Sequence, residues 1–150
     1  GTTTRTQLVT MLYPQSDSPS APESSPFTEV TESWYVDAVN WAFEKGVVNG
    51  TSPTTFSQND AITRQDMATI LYNYTKNVLD LDVYDTADLT GYPDYSSISD
   101  YARTPLSWAV AQGLILGVGN SNGVDTLQPK GDATRAQTAT IIMRFCQNVL

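Results

Sequence analysis

The sequence predicts an all-α fold built from helix–loop–helix repeats, and three observations lead to it. A tetrapeptide recurs with variation, as Thr4-Arg5-Thr6-Gln7, Thr63-Arg64-Gln65-Asp66 and Thr134-Arg135-Ala136-Gln137. Each copy opens a segment whose apolar residues fall at helical spacing. Ahead of the last two copies stands a Trp-Ala segment closed by paired glycines, Trp41-Ala42 with Gly46 and Gly50, then Trp108-Ala109 with Gly113 and Gly117. Elements recurring in a fixed order mark a repeat architecture.

The segments follow in chain order. Residues 4–13 are the back half of a unit, residues 27–79 and 92–150 are full units, and all belong to one domain, 1–150. Residues 14–26 are a Pro- and Ser-rich linker and residues 80–91 an acidic one. In the half-unit, Leu8, Met11 and Leu12 begin an apolar stripe. A first helix over about Trp34 to Lys45 ends at Gly46, a natural C-terminal cap. The helix after Thr63 carries Met67, Ile70, Leu71, Tyr74 and Val78 on one face. The second Trp-Ala helix ends at Gly113 and carries Pro105, which suits a first turn capped by Thr104. The last helix carries Ala139, Ile142, Met143, Cys146 and Val149 as its core stripe. Val47-Val48 and Leu114-Ile115 follow the glycines as short apolar plugs, and Phe56 and Leu127 seal the loops onto the core. All three helix starts have a Thr N-cap, with Gln7, Asp66 or Gln137 placed for a capping box, Asp66 being the shortest. Two short helices cannot bury an apolar face alone, so the units must assemble.

Composition narrows the chemistry. The 150 residues carry 16 acidic and 8 basic side chains, a net charge of −8. Nucleic acid is not an expected partner, because that affinity needs clustered Lys and Arg. Histidine is absent, which excludes Ser-His-Asp triads and imidazole acid–base chemistry. Cys146 stands alone, so no intramolecular disulfide or thiolate cluster forms. No metal, cofactor or catalytic residue is expected. No apolar run is long enough for a membrane span. The abrupt start at Gly1-Thr2-Thr3-Thr4 reads as a piece of a longer protein.

The arginine after each Thr cap is the informative residue. A cation at the first helical position opposes the helix dipole by a few tenths of a kcal/mol or more. The chain repeats this at Arg5, Arg64 and Arg135. A guanidinium beside free backbone N–H groups suits a carboxylate or phosphate. Alternatively, each arginine pairs with a carboxylate of the neighbouring unit and holds the assembly together. Trp41 and Trp108 read first as core residues, with stacking on a sugar ring as the alternative. The glycines are cap and turn residues that also permit close approach of a ligand to the backbone.

Together, the stretches Phe27 to Tyr74 and Tyr92 to Phe145 resemble the S-layer homology module of bacterial surface proteins. The shared pattern is an aromatic-x-Asp start, a Trp-Ala helix, a Gly-Ile-Ile-x-Gly turn and a Thr-Arg-Ala-Glu helix start. The resemblance implies pseudo-three-fold packing of the repeats around a central bundle of three helices. It also implies grooves between the outer lobes that bind an acidic, often pyruvylated, secondary cell-wall polysaccharide. The module would then be a non-catalytic anchor, extracellular, on the cell wall or S-layer, within a longer surface protein. The candidate ligand contacts it implies are Arg5, Arg64 and Arg135, joined by Thr63, Thr134, Gly50, Gly117, Trp41 and Trp108.

The chain departs from this pattern in places. Gln7, Asp66 and Gln137 replace the motif Glu, Gln58 stands where Pro is common while Pro129 keeps it, and Glu29 replaces an Asp that Asp94 keeps. The first repeat lacks its outer helix and turn, so at most two complete grooves are expected. Two other readings compete. One is a structural or protein–protein module with the motif arginines as salt bridges between lobes. The other is a glycosidase with paired carboxylates, disfavoured because the acids lie in connectors and on exposed faces.

Overall fold

A computed structural model describes residues 2–13, 33–48, 61–117 and 126–150. Five α-helices lie among the described residues: α1 (Arg5–Leu12), α2 (Ser33–Glu44), α3 (Arg64–Asn77), α4 (Arg103–Ala111) and α5 (Arg135–Asn148). Two 3₁₀ turns, Tyr95–Ser97 and Asp100–Ala102, precede α4. No strand forms among the described residues, only isolated bridges. The fold class is all-α.

Those bridges organise the centre. The Thr3 N–H donates to the Ala133 carbonyl (3.1 Å), the Ala133 N–H to the Ile62 carbonyl (2.9 Å) and the Ile62 N–H to the Thr3 carbonyl (2.7 Å). The entrances to α1, α3 and α5 are thereby tied in a closed ring. A buried bond from the Thr3 hydroxyl to the Thr138 hydroxyl (2.7 Å) reinforces one side. Each entrance ends in an extended Thr cap whose hydroxyl accepts the N–H three residues on. At Thr4/Gln7 and Thr134/Gln137 the glutamine also reaches back to the cap N–H, completing a capping box. At Thr63 only the first half forms, because the shorter Asp66 turns elsewhere.

Helices α2 and α4 end alike. Gly46 (φ +70°) and Gly113 (φ +73°) adopt the left-handed conformation. The following residue folds back, Val47 N–H to Ala42 O (2.8 Å) and Leu114 N–H to Ala109 O (2.9 Å). This drives Val47-Val48 and Leu114-Ile115 into the core. Asn77 donates to the Gly46 carbonyl (3.2 Å) and Asn148 to the Gln112 carbonyl (2.7 Å), so the far ends of α3 and α5 fix these turns.

Helices α1 and α2 pack together, as do α3 and α4. Edge-on aromatic contacts run Tyr13–Trp41–Tyr74, and Tyr74 continues to Phe145, joining α2, α3 and α5. Trp108 meets Tyr72 edge-on at 5.8 Å.

Several local expectations need correction. Helix α4 begins before Thr104, because the Asp100–Ala102 turn feeds directly into it, and Ala102 occupies the cap position without a side-chain bond. Pro105 is still tolerated, since the first-turn N–H groups have no intrahelical acceptor. On α5 the buried residues are Thr138, Ile141 and Phe145, whereas Met143 and Cys146 are exposed. Met11 is likewise exposed, at 59%. Beyond these corrections, the acidic 80–91 connector packs on the core, with Val83 and Leu89 buried and the Ala87 N–H donating to the Ser107 carbonyl (3.0 Å). The expectations for linker 14–26, Glu29, Gly50, Phe56 and Gln58 lie outside the described residues.

Candidate functional site

The three motif arginines end in three different environments. Arg64, the first residue of α3, is only 4% exposed. Its Nε–H donates to the Leu127 carbonyl (2.9 Å) and Nη2 to the Leu116 carbonyl (2.9 Å). Both acceptors belong to the following unit. Burial holds Arg64 below the ordinary arginine range, with Asp94 pulling the other way. Asp94 itself accepts the Leu127 N–H (2.9 Å) and Gln128 N–H (2.8 Å). It thus pins a segment in which Gln128 has a positive φ of 50° and aims the Leu127 carbonyl at Arg64.

The start of α3 does not offer free N–H groups to an anion, contrary to the sequence reading. The Arg64 N–H goes to the Gly131 carbonyl (3.0 Å), the Gln65 N–H to the Pro129 carbonyl (2.8 Å) and the Asp66 N–H to the Thr63 hydroxyl (3.3 Å). What remains for a ligand is the guanidinium itself. It lines a cleft of about 370 Å³ between the Leu114–Gly117 turn and the α5 residues Gln137, Thr140, Ile141 and Arg144. No carboxylate lines it among the described residues.

Arg5 is also buried, but it pairs with a carboxylate of the next unit, Nη1 lying 3.2 Å from Asp66 Oδ2. The Tyr101 hydroxyl donates to the other Asp66 oxygen. Burial, with that hydrogen bond to Asp66, pushes Tyr101 up to about 12. Gln65 ties Ser99 from both sides, its Nε2 donating to Ser99 Oγ (3.0 Å) and its Oε1 accepting the Ser99 N–H (3.0 Å). Arg5 and Asp66 line a cleft of about 790 Å³ with Val47-Val48, Thr69, Ile70, Asn73 and Tyr101.

Arg135 is exposed and has no ion pair or hydrogen bond among the described residues. It borders an apolar cleft of about 810 Å³ with Gln7, Thr10, Met11, Ile142 and Met143. Among the described residues no apolar turn lines that cleft, and Met11 is open to solvent. Ile70 and Ile141, at the matching places, lie beneath Val47-Val48 and Leu114-Ile115.

The remaining candidates divide clearly. Gly117 lines the Arg64 cleft. Thr63 and Thr134 are caps whose hydroxyls are engaged with backbone. Trp41 and Trp108 are buried at 2% and 1% exposure, so neither ring presents a face to a sugar. Sequence reasoning overlooked Arg144, Tyr101 and Gln65. Aligning the helices on their arginines would have set Arg144 opposite Asn73 as an added cation. Among the described residues, no helix is long and apolar enough to cross a membrane, and no group of His, Cys, Asp and Glu is placed to hold a metal ion.

The sequence profile of the S-layer homology domain matches residues 26–68 and 91–139. The chain is similar to a surface-layer 125 kDa protein of Lysinibacillus sphaericus, 32% identical over 118 residues, which is 79% of the chain and 9% of that protein. It is similar to an amylopullulanase of Thermoanaerobacterium thermosulfurigenes, 31% identical over 94% of the chain and 7% of the enzyme. An endoglucanase of Bacillus sp. (strain KSM-635) is 32% identical over 93% of the chain and 14% of the enzyme. The chain therefore spans a small fraction of the length of each of these relatives.

Proposed function

The chain belongs to the S-layer homology domain family, and from that premise we propose that it is a non-catalytic module that anchors a longer protein to a bacterial cell wall. Its ligand is an acidic secondary wall polysaccharide, pyruvylated where the wall carries such ketals. It binds in the clefts between repeats, packed with pseudo-three-fold symmetry, a packing supported by the closed hydrogen-bond ring at the inner-helix entrances. Relatives that are surface-layer proteins and polysaccharide-degrading enzymes support a shared attachment module at the cell surface, with catalysis residing elsewhere in the enzymes.

One observation carries the reading. Arg64 is a buried cation in an open cleft, held by two carbonyls with no carboxylate lining that cleft among the described residues. Carbonyls orient a guanidinium but carry no formal charge, and Asp94, the carboxylate that acts on Arg64, is engaged with the Leu127 and Gln128 N–H groups, so an arriving carboxylate gains a charge-assisted bond. The net charge of −8 matters little at contact, because salt screens distant charges within about 8 Å.

The Arg5–Asp66 pair favours the structural reading for that one arginine, since it joins two units. The test is co-sedimentation of the chain with purified sacculi, before and after acid removal of their secondary polysaccharide. Binding to intact sacculi that disappears on stripping is expected. Equal binding to stripped sacculi, or none to intact ones, overturns the anchoring reading.

A further inference from the structure

Resting on that reading, we propose that the Arg5 and Arg64 clefts are functionally unequal. The Arg64 cleft receives a carboxylate between Arg64 and Arg144, and Asp66 closes the Arg5 cleft to anions.

The two clefts are built in the same register. Counting from the arginines that begin α3 and α5, Asp66 matches Gln137, Thr69 matches Thr140, Ile70 matches Ile141 and Asn73 matches Arg144. An apolar turn lies above each, Val47-Val48 in one and Leu114-Ile115 in the other. Charge differs at only two of those matched positions, and both differences act in the same direction. The Arg64 cleft holds two guanidiniums and no carboxylate among the described residues, while the Arg5 cleft holds a guanidinium and a carboxylate 3.2 Å apart.

Local chemistry explains the divergence. Gln137 is neutral and its carbonyl is engaged with the Thr134 N–H at 3.0 Å. Asp66 is too short to close a capping box, so its carboxylate is available and settles on Arg5 and Tyr101. A ligand carboxylate entering there must displace Asp66 and remain beside it, trading one ion pair for another while adding a like-charge contact. Across the Arg64 cleft, Arg144 has no ion pair or hydrogen bond among the described residues, whereas Asn73 is bonded to the Val47 carbonyl (3.3 Å).

The probe is a methyl glycoside bearing a 4,6-pyruvyl ketal, with its neutral methyl ester as control, titrated by calorimetry. The wild-type chain is expected to bind one acid per chain and no ester. Arg144→Gln weakens that site about tenfold, the worth of one charged contact. The Asp66→Gln/Asn73→Arg double variant binds two per chain. Asp66→Gln restores a capping box, which offsets part of the lost Arg5 ion pair, and a cooperative thermal unfolding transition is the check that the double variant folds. Unaltered affinity in Arg144→Gln, two sites in the wild type, or one site in the double variant overturns the proposal. So does failure of the wild type to bind the acid. In every such case the sacculi assay, run on the same proteins, tells whether the anchoring reading falls too.

Discussion

Trp108→Ala is expected to lower the unfolding free energy by about 3–5 kcal/mol, the usual cost of deleting a fully buried large aromatic. Trp108 is 1% exposed and lies where α4 packs on α3, edge-on to Tyr72. Its loss opens a void beside Tyr72. A domain of this size has about 5–15 kcal/mol in total, so the variant stands near the threshold of folding. Urea unfolding followed by far-ultraviolet circular dichroism checks this. The midpoint falls with an unchanged slope. Tyr84→Ala, at a position 88% exposed, should stay within about 0.5 kcal/mol of the parent. Equal effects of the two substitutions would refute the packing described for α3 and α4.

Arg64→Ala should show two effects. Sacculus binding falls roughly a hundredfold, as when one partner of a desolvated charge pair is truncated. Stability also falls, by about 1–3 kcal/mol, because the Leu127 and Leu116 carbonyls lose their donor. A loss of stability is therefore no argument against a binding role at this position. Arg64→Lys separates the two contributions. It keeps the charge but cannot fork to two carbonyls, so it retains part of the binding while losing stability. If Arg64→Ala loses stability yet sediments with sacculi as the parent does, the arginine serves the fold alone.

Local features were legible in the sequence because local rules govern them. The Thr caps, the Gly46 and Gly113 turns and the buried dipeptides after them follow from residues within one turn of each other. The register of α5 was not legible. Ile142, Met143 and Cys146 form as good a helical stripe as Thr138, Ile141 and Phe145, and the choice depends on what lies opposite. The fates of the arginines were half legible. Their unfavourable helix position marked all three, but neutralisation of Arg5 by Asp66 joins residues far apart in sequence with no periodic signature. The α3 N–H groups were misjudged for the same reason, since their acceptors, Gly131 and Pro129, come from a loop of the next repeat.

The most direct test of the central claim is nuclear magnetic resonance of the arginine Nε–H groups during titration with purified wall polysaccharide. Saturable shifts at Arg64 and Arg144, with the Arg5 resonance unmoved, are the predicted result. Shifts at Arg5 with Arg64 silent, or no saturable shift at any arginine while the polymer still binds, would contradict it.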